Sequence, residues 1–532
     1  MVKPKAEKPA ERTEITEVNV LPPVVFTALG AAIIYYTYPF IQKIPHRAFL
    51  FLGILFLFIV IIAFLRVLSG GHFIFLGNGE KNKVPRIVRE INSLTIALIM
   101  GFCIGIPLRA GVTELDIPLR FETVTGLTGF LGDDPRAFND GRGMGTIMVR
   151  EAAGEGGVRI TARGKTTVFF PAGTIPRLKE FGRGSEIYIE GSLINNGSTA
   201  NSSGYDRVVF RASQVHILKP APAVEQFRTS LRTGALQKFG ILSDGSSVPP
   251  VWGGLASAML LGVRDDLDVD LAAAFRNAGC SHVLSLSGMN LALLSGVIVL
   301  LFRFFFGIRP ASLAGAIFIL FYIFLAGAQP SLVRSGIIYF LGTLALWGYL
   351  RKNALSLLAL AFLIQLFIQN ESGVTISFIL SYLAIAGILA TGNTVRGLLS
   401  GKIPDIILTG FSASIGAFLF TAAVASFYFG VLNPVGLLAG IIIMPVATIF
   451  MFFAFVSLIF ISIIPVLFQP LGFLLTIIYR VLEFLVNAAS QVPGIRTSFA
   501  PVLAVSVSVI VLLEIIKIMD RRHRKSVSSF GV

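Results

Sequence analysis

About twelve times along this chain the residues run apolar for close to the roughly 18 to 20 positions that a helix needs to cross a bilayer. The runs fall at about 24 to 42, 48 to 67 and 93 to 110. They resume at about 282 to 302, 311 to 328, 332 to 350, 354 to 369, 374 to 392, 406 to 429, 434 to 456, 462 to 486 and 499 to 518. Lipid gives the backbone no hydrogen-bond partners, so such runs are compatible with helices that satisfy their own amides. With 54% apolar and 14% charged residues the chain reads as an integral membrane protein and not as a soluble enzyme. The run at 462 to 486 holds Arg480 and Glu483, so it reads equally as a span or as a helix lying in the interface.

The formal charge of +15 resembles a nucleic-acid signature, but polytopic proteins collect Lys and Arg in cytoplasmic loops for orientation alone. Here Lys81, Lys83, Arg86 and Arg89 lie between the second and third runs. Arg303 with Arg309, Arg351 with Lys352, Arg396 with Lys402, and the tail RRHRK at 521 to 525 all fall on the same side of a three-plus-nine topology. Both termini are then expected in the cytoplasm and residues 118 to 218 outside it. The expected organisation is a disordered tail at 1–20, three spans at 21–112 and a β domain at 118–218. Interfacial helices follow at 222–280, a transmembrane domain at 281–519 and a basic tail at 520–532. Cys103 and Cys280 suggest neither a disulfide framework nor a metal set.

Residues 118 to 218 change character, with charges of both signs, many glycines and short alternating runs such as VRITA, TTVFF, EIYIEGSL and DRVVFRASQVHIL. Period-two alternation broken by turn residues describes a small all-β module, and about five such strands suit a Greek-key barrel of the OB-fold kind. The fold class expected is thus a polytopic α-helical membrane protein of about 12 transmembrane helices with an inserted OB-fold-like extracytoplasmic domain. Arg159, Arg163, Lys165 and Tyr188, with Phe169, Phe170 and Tyr205, could track phosphates and stack bases. Strands also need aromatics for a core, and acids here nearly offset bases. Residues 222 to 242 form an amphipathic segment whose apolar positions Val224, Phe227, Leu231, Leu236 and Phe239 suit either the membrane interface or the helical bundle.

The stretch SHVLSLSGMNLALLSGVIVLLFRFFF, Ser281 to Phe306, opens with groups that lipid tolerates poorly. Read as one helix, Ser281, Ser285, Gly288, Ala292 and Ser295 share a small-residue face, and His282, Ser285, Ser287, Gly288 and Asn290 would line a wet path. His282 is equally compatible with a capping role. Ser377, Ser381 and Ala384 repeat the small-residue pattern, more simply as packing. Arg334 either snorkels outward or faces the path, and Pro330, Pro434 and Pro445 suggest broken helices around a cavity. The five histidines are scattered without zinc-ligand spacing, no P-loop occurs, and SLSG at 285 to 288 lacks a triad. No cofactor, metal site or enzymatic activity is expected.

The block AMLLGVRDDL followed by FRNAGCSHVLSLSGMNLALLSG resembles the signature of the ComEC family of competence proteins. FLAGAQPSLVRSGI, ISFILSYLAIAGI and FYFGVLNPVGLLAGIIIMPV follow in the family's order. The resemblance covers about 118 to 500. It implies an inner-membrane channel for single-stranded transforming DNA in a bacterium, assisted by a separate cytoplasmic ATPase, a DNA-binding receptor and a nuclease. It assigns the channel motif to Arg264, Asp265, His282, Ser287 and Gly288, with Ser331 and Arg334 from the second block. Asn290 stands where the family usually has a second histidine. The metallo-β-lactamase-like nuclease domain of full-length members is not in this sequence, so strand degradation is expected to fall to another protein. A transporter or flippase for another envelope solute, and a non-transporting assembly protein, are the alternative readings.

Overall fold

The computed structural model describes residues 23–41, 86–110, 115–119, 121–138, 140–195, 208–240, 250–348, 353–402 and 404–530. They divide into two compact units, Met1–Pro107 and Leu108–Val532. In the first, α1 (Pro23–Ile41) meets α2 (Arg86–Ala110) through small residues. A Cβ on Gly30, Gly101 or Gly105 would run into Leu98, Thr27 or Ala31 of the facing helix. The expected tail at 1–20, the span at 48–67, and Lys81 and Lys83 lie outside the described residues.

The second unit opens with the β domain. Its strands are β1 (Val124–Leu131), β2 (Arg136–Ala137), β3 (Gly143–Gly154), β4 (Arg159–Phe170), β5 (Glu186–Asn195) and β6 (Val208–Lys219), with α3 (Thr174–Phe181) between β4 and β5. The order β1-β5-β6-β4-β3, with β1 pairing back onto β3, closes a five-stranded barrel in which only the β4–β6 pair is parallel. Leu127, Ile147, Val168, Phe170, Ile187, Ile189 and Phe210 fill the interior. These are the inward halves of the alternating runs, so the periodicity that predicts strands also builds the core. VRITA and TTVFF, which read as two runs, are one strand carried through Gly164. This closed barrel is consistent with an OB-fold.

After α4 (Ala223–Lys238) and the short α5 (Gly253–Leu261) and α6 (Val269–Asn277), the helical domain continues with α7 (Gly288–Phe306), α8 (Ile308–Ala326), α9 (Pro330–Trp347) and α10 (Ala354–Ile368). Helix α11 (Ile376–Gly387) passes through a π turn into α12 (Asn393–Leu399). Then come α13 (Asp405–Phe429), α14 (Val435–Ile463), α15 (Phe468–Ser490) and α16 (Phe499–Phe530). Among the described residues 8 helices are long and apolar enough to cross a membrane. The runs at the start of the chain and at Ala354–Ile368 give shorter apolar helices, so the described part carries fewer full spans than the twelve runs suggest. The Pro465–Ser490 segment is among the eight by length and composition. Helix α16 continues through the basic RRHRK run to Phe530.

Three sequence expectations change. Helix α7 begins at Gly288, not Ser281, because Ser287 caps it by accepting from the Asn290 amide and Ser285 donates to the His282 carbonyl. Serines that bond their own backbone compete with helix, so Ser281–Ser287 is a loop and its serines are not part of a helical stripe. Pro330 starts α9 and Pro434 precedes α14, where a missing amide costs nothing, and Pro445 alone of the three sits inside a helix. On α4 the apolar positions divide: Leu236, with Phe239 just past the helix end, packs into the bundle core. Val224 and Phe227 are exposed, whereas Arg228 is 1% exposed because two acids hold it.

Candidate functional site

The helical domain is centred on α5, whose nine residues are all buried. Nine residues are too few to cross lipid, and protein wraps this segment instead. Its C-cap Gly262 has φ +70, and a Cβ there would press on Leu286 at 2.7 Å and Gln329 at 3.1 Å. The turn that follows carries Arg264 and Asp265. Arg264 donates to the Leu284 carbonyl at 3.1 Å and Ser331 to the Leu286 carbonyl at 2.7 Å, so the turn and the start of α9 fix the Ser281–Ser287 loop from two sides.

Asp265 also ties the helical domain to the barrel. Its carboxylate accepts from the Ala137 amide at 3.0 Å and from Lys179 at 2.5 Å. From the barrel side Asp134 accepts two bonds from Arg228, at 2.6 and 2.9 Å, and one from Arg232. Arg232 in turn reaches the Leu261 carbonyl at 3.1 Å, and Glu225 joins Arg228 to Arg183. Two carboxylates, one from each domain, thus set the spacing between them.

That spacing leaves a cavity of about 1910 Å³. Its barrel wall includes Met144, Thr146, Lys165, Thr167 and Phe169 from the outer face of β3 and β4, with Arg136 from β2. Its helical wall includes Arg232, Arg264, Ser285, Gln329, Pro330 and Ser377. The ends of α8 and α9 that line it are those away from the Arg303–Arg309 junction, so the cavity and that basic junction lie at opposite ends of these helices. No residue of α7 lines it.

The expected pathway residues therefore separate. Ser285 opens on the cavity, and His282 is exposed elsewhere. Gly288, Ser331 and Arg334 meet where α7 touches α9. A Cβ on Gly288 would stand 2.9 Å from Ser335 Cβ and 3.4 Å from Arg334 Nη2. Asn290 is buried with Nδ2 unpartnered among the described residues, and Ser295 turns its hydroxyl back to the Ala292 carbonyl. The face expected to be wet is, beyond the loop, packed by protein. Cys280 is buried and its thiol is pushed up to about 11 by desolvation, which leaves it unreactive.

Arg334 is 5% exposed, Nε and Nη1 have no hydrogen-bond partner among the described residues, and its guanidinium lies 5.5 Å from the Tyr382 ring centroid. The outward-snorkelling reading fails on that burial. Tyr382 donates to Gln365 at 2.8 Å and Gln365 to the Pro330 carbonyl at 2.8 Å, which joins α11, α10 and α9 beneath the cavity. Gln365 and Tyr382 were not among the residues singled out in the sequence. A lone amide inside ALSLLALAFLIQLFI was the available signal, since an unpaired one is costly there. In the barrel, Arg159 stacks on Tyr188 and Tyr188 on His216, whereas Lys165 lines the cavity beside a loose contact with Asp133, so the four expected DNA contacts form no single site. Arg163 pairs its backbone with Asp116.

Fold and site together define a polytopic membrane protein in which a small β-barrel stands over the ends of a helical bundle. The family model described as Competence protein matches residues 259–522, just under half of the chain, and over that part the chain is similar to the ComEC-type competence proteins. It is 25% identical over 156 residues to ComE operon protein 3 of Bacillus subtilis (strain 168). That match spans 28% of this chain and 20% of the relative's length. No solved structure matches.

Proposed function

We propose that this protein conducts one strand of transforming DNA across the bacterial inner membrane. The β domain, an OB-fold, then lies outside, and both termini lie in the cytoplasm. The observation that carries the reading is the cavity between barrel and bundle. A polar loop bearing the family signature forms its floor, and an unpaired buried cation lies below it. In this reading Ser285, Gln329 and Ser377 meet the incoming strand. Arg334 attracts phosphate once the α7–α9 contact at Gly288 and Ser331 opens, and Asn290 offers its amide along the same line. His282, outside the cavity lining, takes no part in the path in this reading. Pulling force comes from a separate cytoplasmic ATPase, delivery from an outer DNA-binding receptor, and removal of the other strand from a separate nuclease.

Deletion of the gene is expected to abolish entry of labelled DNA into the cytoplasm while leaving surface binding intact. Normal entry in the deletion strain overturns the reading, and a change confined to envelope composition favours a solute transporter.

Arg334 offers a sharper test. A buried guanidinium with unmade hydrogen bonds costs stability, by about 1 to 3 kcal/mol. Arg334→Met is therefore expected to raise the melting temperature of the purified protein and to lower uptake roughly tenfold, with Arg334→Lys intermediate in uptake. Loss of both stability and uptake would make Arg334 a packing residue.

A further inference from the structure

The cavity holds a cation pair that the interdomain ion pairs leave over. Lys179 is taken by Asp265, Arg232 by Asp134 and Arg183 by Glu225. Arg136 and Arg264 have no carboxylate partner among the described residues, and both are exposed toward the cavity. They flank a fixed joint, because Arg136 precedes Ala137, whose amide bonds to Asp265, and Arg264 precedes Asp265 itself. Arg264 keeps open surface while its guanidinium is crowded by protein. That desolvation first, and the charge of Arg136 second, hold it below its usual proton affinity. Two like charges thus stand close enough for one to lower the proton affinity of the other. Of the nearby acids, Asp266 is raised from its ordinary value by burial and then by the charge of Asp265.

An aromatic platform lies on the same cavity wall. Phe169 is 37% exposed, whereas its neighbour Phe170 is 1% exposed in the barrel core. Phe169 thus presents its ring on the strand face that OB-type barrels use for oligonucleotides, and it lines the cavity. Lys165 and Thr167 share that face with it.

We propose that Phe169, Arg136 and Arg264 form a seat for one single-stranded phosphodiester chain, Phe169 stacking a base and the two arginines gripping successive phosphates across the domain joint. The seat is bipartite: neither domain holds it alone. A duplex presents no free base face to Phe169, so single strands are preferred. The proposal rests on the conduit reading and assigns its entrance.

The test uses the full chain in lipid nanodiscs and fluorescence anisotropy with labelled oligo-dT. Phe169→Ala is expected to weaken binding roughly tenfold, the worth of one stacked base. Arg136→Gln is expected to weaken it several-fold and to reduce the slope of log affinity against log salt by about 0.7. Arg136→Lys should retain most of the affinity, and Arg159→Gln, outside the cavity, should match the parent. A photo-crosslink from 5-iododeoxyuridine to the peptide holding Phe169 reports on the unaltered protein if a variant fails to fold. Parental affinity and salt slope in both Phe169→Ala and Arg136→Gln, or a crosslink that maps only to the Tyr188 region, overturns the seat and leaves the conduit standing if uptake is intact. An unaltered protein that binds no oligo-dT and supports no uptake removes both.

Discussion

Gly288→Val is expected to reduce DNA uptake at least tenfold and to destabilise the protein by about 1 to 3 kcal/mol, the usual cost of forcing extra carbons into a packed contact. A single added Cβ would already stand 2.9 Å from Ser335 Cβ and closer still to its hydroxyl. That hydroxyl donates to the Ser331 carbonyl at 3.0 Å, and Ser331 holds the Leu286 carbonyl of the signature loop. Displacing Ser335 therefore shifts the loop that floors the cavity, not just a side chain. Because the obstacle is named, the effect is reversible by design: Gly288→Ala is expected to impair, and the double variant Gly288→Ala with Ser335→Gly to recover most of the loss. Thermal denaturation and uptake measured on the same four proteins give the coupling energy directly. If the double variant is as impaired as Gly288→Ala, the contact with Ser335 is not the reason this position is glycine.

What the sequence made visible here depended on range. Spans and strands follow from periodicity within a window of ten to twenty residues, so the helical domain and the barrel strands at EIYIEGSL and DRVVFRASQVHIL are found close to where they were expected. The helix expected from Ser281 failed on a local competition. Small residues at helical spacing are equally available to a loop, and the hydroxyls of Ser285 and Ser287 chose backbone partners nearby. The buried polar links were hidden for a different reason. Tyr382 and Gln365 stand on separate helices, and Asp134 and Arg228 are 94 positions apart. Nothing in either neighbourhood marks the partner. Arg228 looked like the solvent face of an amphipathic helix because the acid that buries it belongs to another domain.

The same long-range pair carries the second large effect. Asp134→Ala is expected to destabilise the joint between barrel and bundle by about 3 kcal/mol, since it leaves the buried Arg228 with Glu225 alone and Arg232 without its acid. Burial by itself would raise the Asp134 carboxyl, but the Arg228 hydrogen bonds and the charges of Arg232 and Arg228 outweigh it and hold the group below its ordinary value of 3.8. A depressed folded value means that the stabilisation is complete above the unfolded value, near 4, and is lost as pH falls through the folded one. The unaltered protein should therefore lose protection of the Asp134 joint to hydrogen exchange only in acid below about pH 4, whereas Asp134→Ala should lack that protection at neutral pH. Arg228→Met in the Asp134→Ala background removes the stranded charge and is expected to restore part of the stability, because an apolar replacement of a buried ion pair costs far less than half of one. Protection that persists in Asp134→Ala would place the joint's strength on Asp265 and Glu225, whose carboxylates still reach Lys179 and Arg183 of the barrel.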